Sequence, residues 1–453
     1  MDITYIYNVL KKNKLLKEKD YQNCNIKKII IDSREAQEFS LFIPLIGNRV
    51  DGHDYIEQAL INNTRFFLIQ EDVLKKNKDI LKKLEKYNAI YFISKSNLKA
   101  LQILAKEYLK TFNIKKIALT GSNGKTTVKE LLHAILKQKY KTFKSRGNLN
   151  SVIGLPLTIF ELNHKYEYGI WELGISEFGE MDVLVDILDP DIALINNIGE
   201  AHIGQFLNQD NIYIEKSKVF SLFKDKGIGF FDKESIYYNR LKNKFRGLKL
   251  IAFDKEELKQ VNYLNNYMTF FYKELEFYVN LFGICQLSNI IACIKLAEYL
   301  DLNLNDIKKG IKDFKNIEKR GNLLNKDSIY YYVDCYNANP QNMYCSIDAF
   351  DKLYNKNLYN RKILLLGDMK ELNNFSEIRH KELGFFILKL DIDMVFLYGF
   401  DIKDTFKVLK NKIKVYYSNE FDTLKIKFNS YIKKNDFIFL KASRSLELEK
   451  FIN

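Results

Sequence analysis

Lys116-Ile117-Ala118-Leu119-Thr120 runs directly into Gly121-Ser122-Asn123-Gly124-Lys125-Thr126-Thr127, and this stretch decides how the chain folds. The first five residues are apolar enough to read as a strand, and Val128 to Leu136 beyond the loop reads as a helix. A strand, a glycine-rich turn and a helix start form a phosphate cradle, because backbone N–H groups and the helix N-terminus face the anion. Lys125 adds charge at the terminal phosphates, and Thr126 can offer a hydroxyl to a magnesium ion. Gly121, Ser122, Asn123, Gly124, Lys125, Thr126 and Thr127 are therefore the candidate triphosphate-binding residues. The usual pattern has a further glycine five residues before the Gly-Lys pair. Leu119 stands there, so the loop is a shortened form.

Working outward, the chain reads as three α/β segments, expected at residues 1–112, 113–320 and 321–453. With 453 residues it is too long for one core, and its hydrophobic share of 47% is ample for folding. In the first segment Lys28-Ile29-Ile30-Ile31 and Phe66-Phe67-Leu68-Ile69 are short apolar runs, with a helix-like stretch from Tyr55 to Ile61 between them. In the second, Gly169-Ile170-Trp171 runs into Glu172 and Ile192-Ala193-Leu194-Ile195 into Asn196-Asn197, while Gly283 to Leu300 reads as a long amphipathic helix. In the third, Tyr330 to Val333, Lys362 to Leu366, Val395 to Gly399 and Phe437 to Leu440 form another strand set. Strands alternating with helices imply largely parallel sheets, whose ligands gather at the carboxyl ends of strands. Glu172, Asn196 and the loop through His202 all lie just past such ends.

The net charge of +14 could suggest nucleic acid, yet only ten of the 71 basic residues are arginine. Lys, Asn, Ile, Tyr and Phe are abundant throughout, so a bias spread over the surface accounts for the charge, and no nucleic-acid partner is expected. No run of eighteen apolar residues occurs, so a transmembrane helix is not expected. The N-terminus lacks the basic and apolar blocks of a secretion signal, and a cytoplasmic location is expected. The five cysteines (Cys24, Cys285, Cys293, Cys335, Cys345) show no C-x-x-C spacing. They read as buried free thiols rather than disulfides or a zinc site.

Three further residues carry candidate chemistry. Glu172 ends an apolar strand about fifty residues after the phosphate loop, where a P-loop enzyme places a magnesium-binding carboxylate. His202, in Gly199-Glu200-Ala201-His202-Ile203-Gly204, sits at a glycine-flanked strand end and suits a ligand or acid–base group as well as a core position. Lys216, from its own context, reads as a surface lysine on a helix.

Taken in order, these motifs resemble the Mur ligases, the ATP-dependent amide-forming enzymes of peptidoglycan precursor synthesis. The resemblance covers nearly the whole chain. Ile31-Asp32-Ser33-Arg34 and Leu45 to Asp54 resemble the region that binds a uridine nucleotide. Gly147-Asn148-Leu149-Asn150 with Ile153-Gly154-Leu155-Pro156 is similar to the loop after the P-loop helix, and Glu172-Leu173-Gly174 and Asn197 to His202 follow in register. Asp334-Cys335-Tyr336-Asn337-Ala338-Asn339-Pro340 is similar to the D-x-Y-N-A-N-P signature of the last cytoplasmic member. Leu366 to Leu372, Ser376, His380 and Lys441-Ala442-Ser443-Arg444-Ser445 extend that match.

The resemblance implies a central P-loop parallel-sheet ATPase flanked by an N-terminal α/β nucleotide-sugar-binding domain and a C-terminal Rossmann-like domain. It implies that UDP-N-acetylmuramoyl-tripeptide and D-alanyl-D-alanine are joined with ATP through an acyl phosphate. Thr126, Glu172, His202 and Lys216 are then the expected ligands of two magnesium ions, with Lys216 as a carbamylated lysine. Lys218 is a competing match, but the fourteen-residue spacing from His202 favours Lys216. Lys125, Glu172, His202 and Lys216 are the expected catalytic set. Asn289 is matched to an adenine contact, Arg320 to a phosphate contact and Asp334 to a ribose contact. Cys285-Gln286 departs from the family's usual His-Asn before Asn289. Ser33, Arg34, Asn48, Asn148 and Asn150 are candidates for the nucleotide-substrate end, and Tyr336, Asn337 and Asn339 for the dipeptide end. A hinge near Lys319 to Asn322 and a monomer are also expected. The alternatives are a Mur ligase that adds a single amino acid, a basic P-loop ATPase acting on nucleic acid, and a binding homologue without turnover.

Overall fold

The structure, a computed structural model, describes residues 1–15, 24–223, 227–264 and 267–452. They pack as two compact units. One holds Met1–Lys116, Phe143–Gly174 and Glu180–Pro190; the other holds Ile117–Thr142, Ile175–Gly179 and Asp191–Asn453. Among the described residues no helix is long and apolar enough to cross a membrane.

The first unit is built on a four-stranded sheet of β1 (Lys28–Ile30), β2 (Ser40–Phe42), β3 (Phe66–Gln70) and β4 (Ile90–Ser94), side by side in that order and all parallel. Both faces are covered, which is why the strands are apolar at successive positions rather than alternating. Ile29, Leu41, Phe66, Leu68 and Phe92 face one core with residues of α1 (Ile3–Lys12). Ile30, Phe42, Phe67, Ile69 and Tyr91 face another with α2 (Ile56–Ile61). Helix α1 presents Ile3, Ile6 and Leu10 on one stripe. The Asp2 carboxylate accepts from Thr4 N–H to cap it, and Lys11 and Lys12 oppose its dipole at the far end. Helix α3 (Asn97–Leu109) adds Ala100, Leu101 and Leu104 to the first core.

Beyond β5 (Lys115–Thr120), the first unit takes back β6 (Thr142–Lys144) and β7 (Tyr168–Glu172), which lie side by side. In the second unit β5 pairs with β8 (Ile192–Ile195), β8 with β9 (Ile228–Asp232) and β9 with β10 (Lys249–Phe253), all parallel. Helix α4 (Lys125–Leu136) follows the phosphate loop, and its Val128, Leu131, Leu132 and Ile135 are buried. Helix α5 (Gln209–Ser217) carries the Lys216 region. An antiparallel meander of β11 (Lys259–Leu264), β12 (Tyr267–Tyr272) and β13 (Leu275–Val279) then precedes α6 (Ile284–Tyr299). Reading the second segment as parallel strands and helices passes over this meander.

The C-terminal sheet has the order β14 (Asn322–Lys326), β15 (Ile329–Val333), β19 (Asp436–Lys441), β16 (Arg361–Gly367), β17 (Met394–Tyr398), β18 (Val415–Ser418). Only the β14–β15 pair is antiparallel. Helix α7 (Pro340–Leu353) docks on this sheet through Phe350, whose ring stacks on Phe437 with centroids 4.5 Å apart. Removing such a buried ring costs about 3–5 kcal/mol, so Phe350→Ala would loosen α7 and the loop before it. Helix α8 (Ser376–Ile387) buries His380 and Leu383.

One expectation fails outright. Cys285, in the first turn of α6, and Cys345, on α7, form a disulfide with Cα atoms 6.2 Å apart; Cys24, Cys293 and Cys335 are free. The two are 60 residues apart and owe their meeting to the packing of α7 against the start of α6. There a Cβ on Gly283 would lie 3.0 Å from Ala349 Cβ. Local spacing carries no signal of that contact.

Candidate functional site

The phosphate loop is fixed from below by asparagines at the end of β8. Ser122 N–H donates to Asn197 O (3.1 Å), Asn123 N–H to Asn197 Oδ1 (2.9 Å), and Asn197 Nδ2 to Asn123 O (2.9 Å). Asn196 Nδ2 donates to the same Asn123 carbonyl and, at 3.2 Å, to Asn289 Oδ1. Ser122 Oγ donates to Gly199 O and accepts from Gly199 N–H. Gly124 stands at φ +78° as the residue before α4, and a Cβ there would fall 2.6 Å from Asn289 Nδ2. Both the left-handed backbone and the close approach require glycine. No side chain caps this end of α4, the usual form of a helix start that receives an anion. Lys125 Nζ donates to Gly121 O (3.0 Å), which keeps the ammonium at the loop mouth. Asn289 is buried under the loop, and its Nδ2 donates to Gln286 Oε1 (2.9 Å), so the residue that replaces the family's usual asparagine holds the neighbouring amide.

His202 takes a left-handed backbone, φ +63°, at the start of a one-turn helix, Ile203–Phe206. Its Nδ1 lies 2.8 Å from Glu371 Oε2. A carboxylate only accepts, so Nδ1 carries a proton in this contact, and Nε2 is the ring atom left to meet another group. That hydrogen bond holds the Glu371 carboxyl below its usual range, against burial, which pushes it up. Gly204 N–H also donates to Glu371 O (3.1 Å), and Arg379 forms an ion pair with Glu200.

Lys216 is 1% exposed. Its reading as a surface lysine is therefore wrong: helical spacing gives a residue a face, but only packing decides whether that face is covered. The competing Lys218 is 28% exposed at its side chain and pairs with Glu215 at 2.7 Å. Glu215 in turn accepts from Gly179 N–H (2.8 Å).

The C-terminal candidates lie in the same compact unit. Asp334 Oδ2 accepts from Lys441 Nζ (2.5 Å) and Ser346 Oγ (2.6 Å). Lys441, buried, also donates to Asn337 O (3.0 Å). The Arg320 guanidinium lies 3.8 Å above the Tyr336 ring centroid. Lys319 and Gly321, on either side of it, both have positive φ, +62° and +74°. Asn339 caps α7 and reaches the phosphate loop through Asn123 Oδ1 (2.6 Å); Asn337 is exposed.

The first unit holds the remaining candidates. Glu172, buried at the end of β7, accepts from Asn150 Nδ2 at Oε1 (2.7 Å). Gly174 N–H donates to Asn150 O (2.9 Å), and a Cβ on Gly174 would lie 2.8 Å from the Asn150 side-chain amide, which would have to shift. Asn148 is exposed on the same loop. Ser33 is buried and Arg34 exposed. Arg34 pairs with Asp32, which holds that carboxyl below its ordinary value. Asn48 is exposed on a turn closed by Gly47 N–H to Val50 O (2.9 Å).

The residues present fit an anionic nucleotide with a divalent cation. Among the described residues Arg320 Nε, a donor, and Asn196 Oδ1, an acceptor, are buried without hydrogen-bond partners. Such atoms are rarely left unpaired unless a ligand completes them. Among the described residues no three His, Cys, Asp or Glu side chains converge on one cation position. The Thr126 hydroxyl and the Glu172 carboxylate are oxygen donors of the kind magnesium takes, one or two at a time, beside water and phosphate oxygens. Motif order does not disclose the roles of Asn196, Gln341, Glu371 and Lys441; their partners lie far away in sequence.

Comparison with known proteins agrees with the site. Family models match as the Mur ligase family catalytic domain over residues 25–108, the Mur ligase middle domain over 119–297 and the Mur ligase glutamate ligase domain over 319–444. A UDP-N-acetylmuramoyl-tripeptide–D-alanyl-D-alanine ligase of Borreliella burgdorferi is 33% identical over 449 residues, 95% of each chain. The crystal structure of MurF ligase from Thermotoga maritima in complex with ADP has a TM-score of 0.78 and 27% identity, covering 94% of this chain and 96% of that one. A MurF structure from Acinetobacter baumannii reaches a TM-score of 0.86 at 24% identity, covering 99% and 97%, a likeness of fold. Fold and site together define an ATP-dependent amide-bond-forming ligase of three α/β domains. The chain belongs to the Mur ligase family.

Proposed function

We propose that this protein joins D-alanyl-D-alanine to the free carboxylate of UDP-N-acetylmuramoyl-tripeptide, giving the pentapeptide nucleotide of peptidoglycan synthesis. The observation that carries this reading is the meeting of the phosphate loop, through Asn123, with the loop that ends at Asn339, in a chain 33% identical over 95% of its length to a relative named for that reaction. The three domains would span 1–112, 113–320 and 321–453, working as a cytoplasmic monomer.

A carboxylate does not condense with an amine at neutral pH. One of its oxygens bonds to the γ-phosphorus of ATP while the bridging bond to ADP breaks. The dipeptide nitrogen then bonds to the acyl carbon while phosphate leaves, and one proton is released overall. The phosphate donor and the carboxylate are both anions, so the site must supply positive charge and directed donors. Lys125 and the N–H groups of Gly121 to Thr127 hold the phosphates; Asn289, Arg320 and Asp334 hold the remainder of the nucleotide. Thr126, Glu172, His202 and a carbamylated Lys216 would hold two magnesium ions, which would supply positive charge against the two anions. Glu371 engages His202 at Nδ1, so Nε2 is the atom that would serve as the ligand. Addition of carbon dioxide to the neutral Lys216 amine, with loss of one proton, would yield a carbamate whose oxygens suit magnesium. Ser33, Arg34, Asn48, Asn148 and Asn150 orient the nucleotide substrate, and Tyr336, Asn337 and Asn339 the dipeptide.

The test is incubation with ATP, magnesium, the UDP-muramoyl-tripeptide and D-alanyl-D-alanine. Pentapeptide with equal amounts of ADP and phosphate is expected. Phosphate released only when nucleic acid is added would overturn the reading.

A further inference from the structure

Asn123 uses its backbone in the phosphate loop, but its side chain faces elsewhere. Helix α7 begins with a capping box: Asn339 Oδ1 accepts from Asn342 N–H (3.0 Å) and Asn342 Oδ1 from Asn339 N–H (2.8 Å). Both amide oxygens are thereby committed to the helix start, and both NH2 groups must find acceptors elsewhere. They converge on one atom, Asn123 Oδ1, at 2.6 Å from Asn339 Nδ2 and 3.3 Å from Asn342 Nδ2. Asn123 Nδ2 then donates to Gln341 Oε1 (3.0 Å). Gln341 Oε1 lies so close to Gly199 that a Cβ there would overlap it. All three side-chain hydrogen bonds of Asn123 thus go to the first turn of α7, across more than 200 residues of sequence. Its peptide group, meanwhile, is clamped by Asn196 and Asn197.

Only a carboxamide meets these demands. Aspartate accepts twice but cannot donate to Gln341, and serine is too short to reach. We propose that the Asn123 side chain is a positioning residue that couples the two halves of the reaction, deepening the ligase reading on which it rests. It ties the loop that holds the phosphates to the segment from Tyr336 to Asn339, so that the dipeptide amine is in place when the carboxylate is activated. With the tie cut, the acyl phosphate waits longer for its amine and loses more of itself to water.

The experiment combines Asn123→Ala, Gln341→Ala and the double variant in the ligase assay with amide hydrogen exchange on each protein. Gln341 is exposed, so its truncation leaves the fold intact. Asn123→Ala is expected to raise KM for D-alanyl-D-alanine about tenfold or more, with KM for ATP within about threefold of wild type. Phosphate released per pentapeptide should climb above one. Gln341→Ala should move the same quantities less, and the double variant should resemble Asn123→Ala alone, because both changes remove a shared bond. Exchange should quicken together at residues 121–124 and 339–343. The proposal is overturned if the defect falls on ATP alone, if the two single effects multiply in the double variant, or if only one of the two segments exchanges faster. A wild-type protein that made no pentapeptide would strike the ligase reading instead, and hydrogen exchange would still decide the coupling.

Discussion

Lys441 is the residue whose removal should cost most for the smallest change in shape. It is 1% exposed, and its ammonium donates to Asp334 Oδ2 and Asn337 O while the Asp334 side chain keeps 17% exposure. Lys441→Met keeps most of the aliphatic stem but leaves the Asp334 carboxylate with the Ser346 hydroxyl as its side-chain donor. Breaking a buried pair from one side costs about 3–5 kcal/mol. Because Asp334 can draw some water, the lower end applies: about 3 kcal/mol, or roughly two orders of magnitude in the folded-to-unfolded ratio. Asp334→Asn should also destabilise, since it strands a buried ammonium. Combining the two leaves no charge unpaired, so the double variant should recover about 1–3 kcal/mol relative to the sum of the single effects. Urea denaturation of the four proteins, followed by circular dichroism, measures each quantity. Within the same set, Lys441→Met should raise KM for D-alanyl-D-alanine, because the Asn337 carbonyl loses its anchor. A Lys441→Met variant within about 0.5 kcal/mol of wild type, or strict additivity in the double variant, would mean that the Lys441–Asp334 pair does not hold this part of the fold.

Other consequences can be checked separately. Lys216→Ala should cut amide formation about 100-fold or more while ATP still binds, and full activity in that variant would end its assignment. Oxidised, denatured protein should show three reactive thiols, and five after reduction. A disulfide across a separation of 60 residues should contribute about 4 kcal/mol by chain entropy, read as a fall in the melting midpoint with reductant; five thiols before reduction would mean that the bond is absent. Buried His380 accepts from Met369 N–H at Nε2 (3.1 Å) and stands 2.8 Å from Ser376 O at Nδ1, and burial lowers its pKa from 6.5. The unfolded chain takes up the proton first, so this histidine's contribution is complete above about pH 6.5 and declines as pH falls below it. The urea midpoint should therefore drop as pH falls below about 6.5 in wild type and drop less in His380→Gln; equal slopes would exclude the effect.

The residues legible in the sequence are those whose chemistry is local. Lys116 to Leu136 is a strand, turn and helix in one stretch, and Glu172 ends a strand that its apolar run announces, whereas His202, expected at a strand end, stands at the start of a one-turn helix. Lys216 shows where that legibility stops. Its helix was readable but its burial was not, because burial depends on what packs over α5. Gln341 and Asn123 are polar residues in unrelated segments, and nothing in either predicts that α7 begins against the phosphate loop. Cys285 and Cys345 met for the same reason, through tertiary packing. The β11–β13 meander is not legible because its strands interrupt an otherwise regular alternation of strand and helix.

In the proposed reaction one phosphate passes to one carboxylate before the amide forms. The direct measurement is turnover of UDP-N-acetylmuramoyl-tripeptide labelled with oxygen-18 in its terminal carboxylate, with ATP and D-alanyl-D-alanine, and mass analysis of the released phosphate. Transfer of one carboxylate oxygen into the phosphate formed with each pentapeptide is expected. Pentapeptide accompanied by unlabelled phosphate would contradict the mechanism.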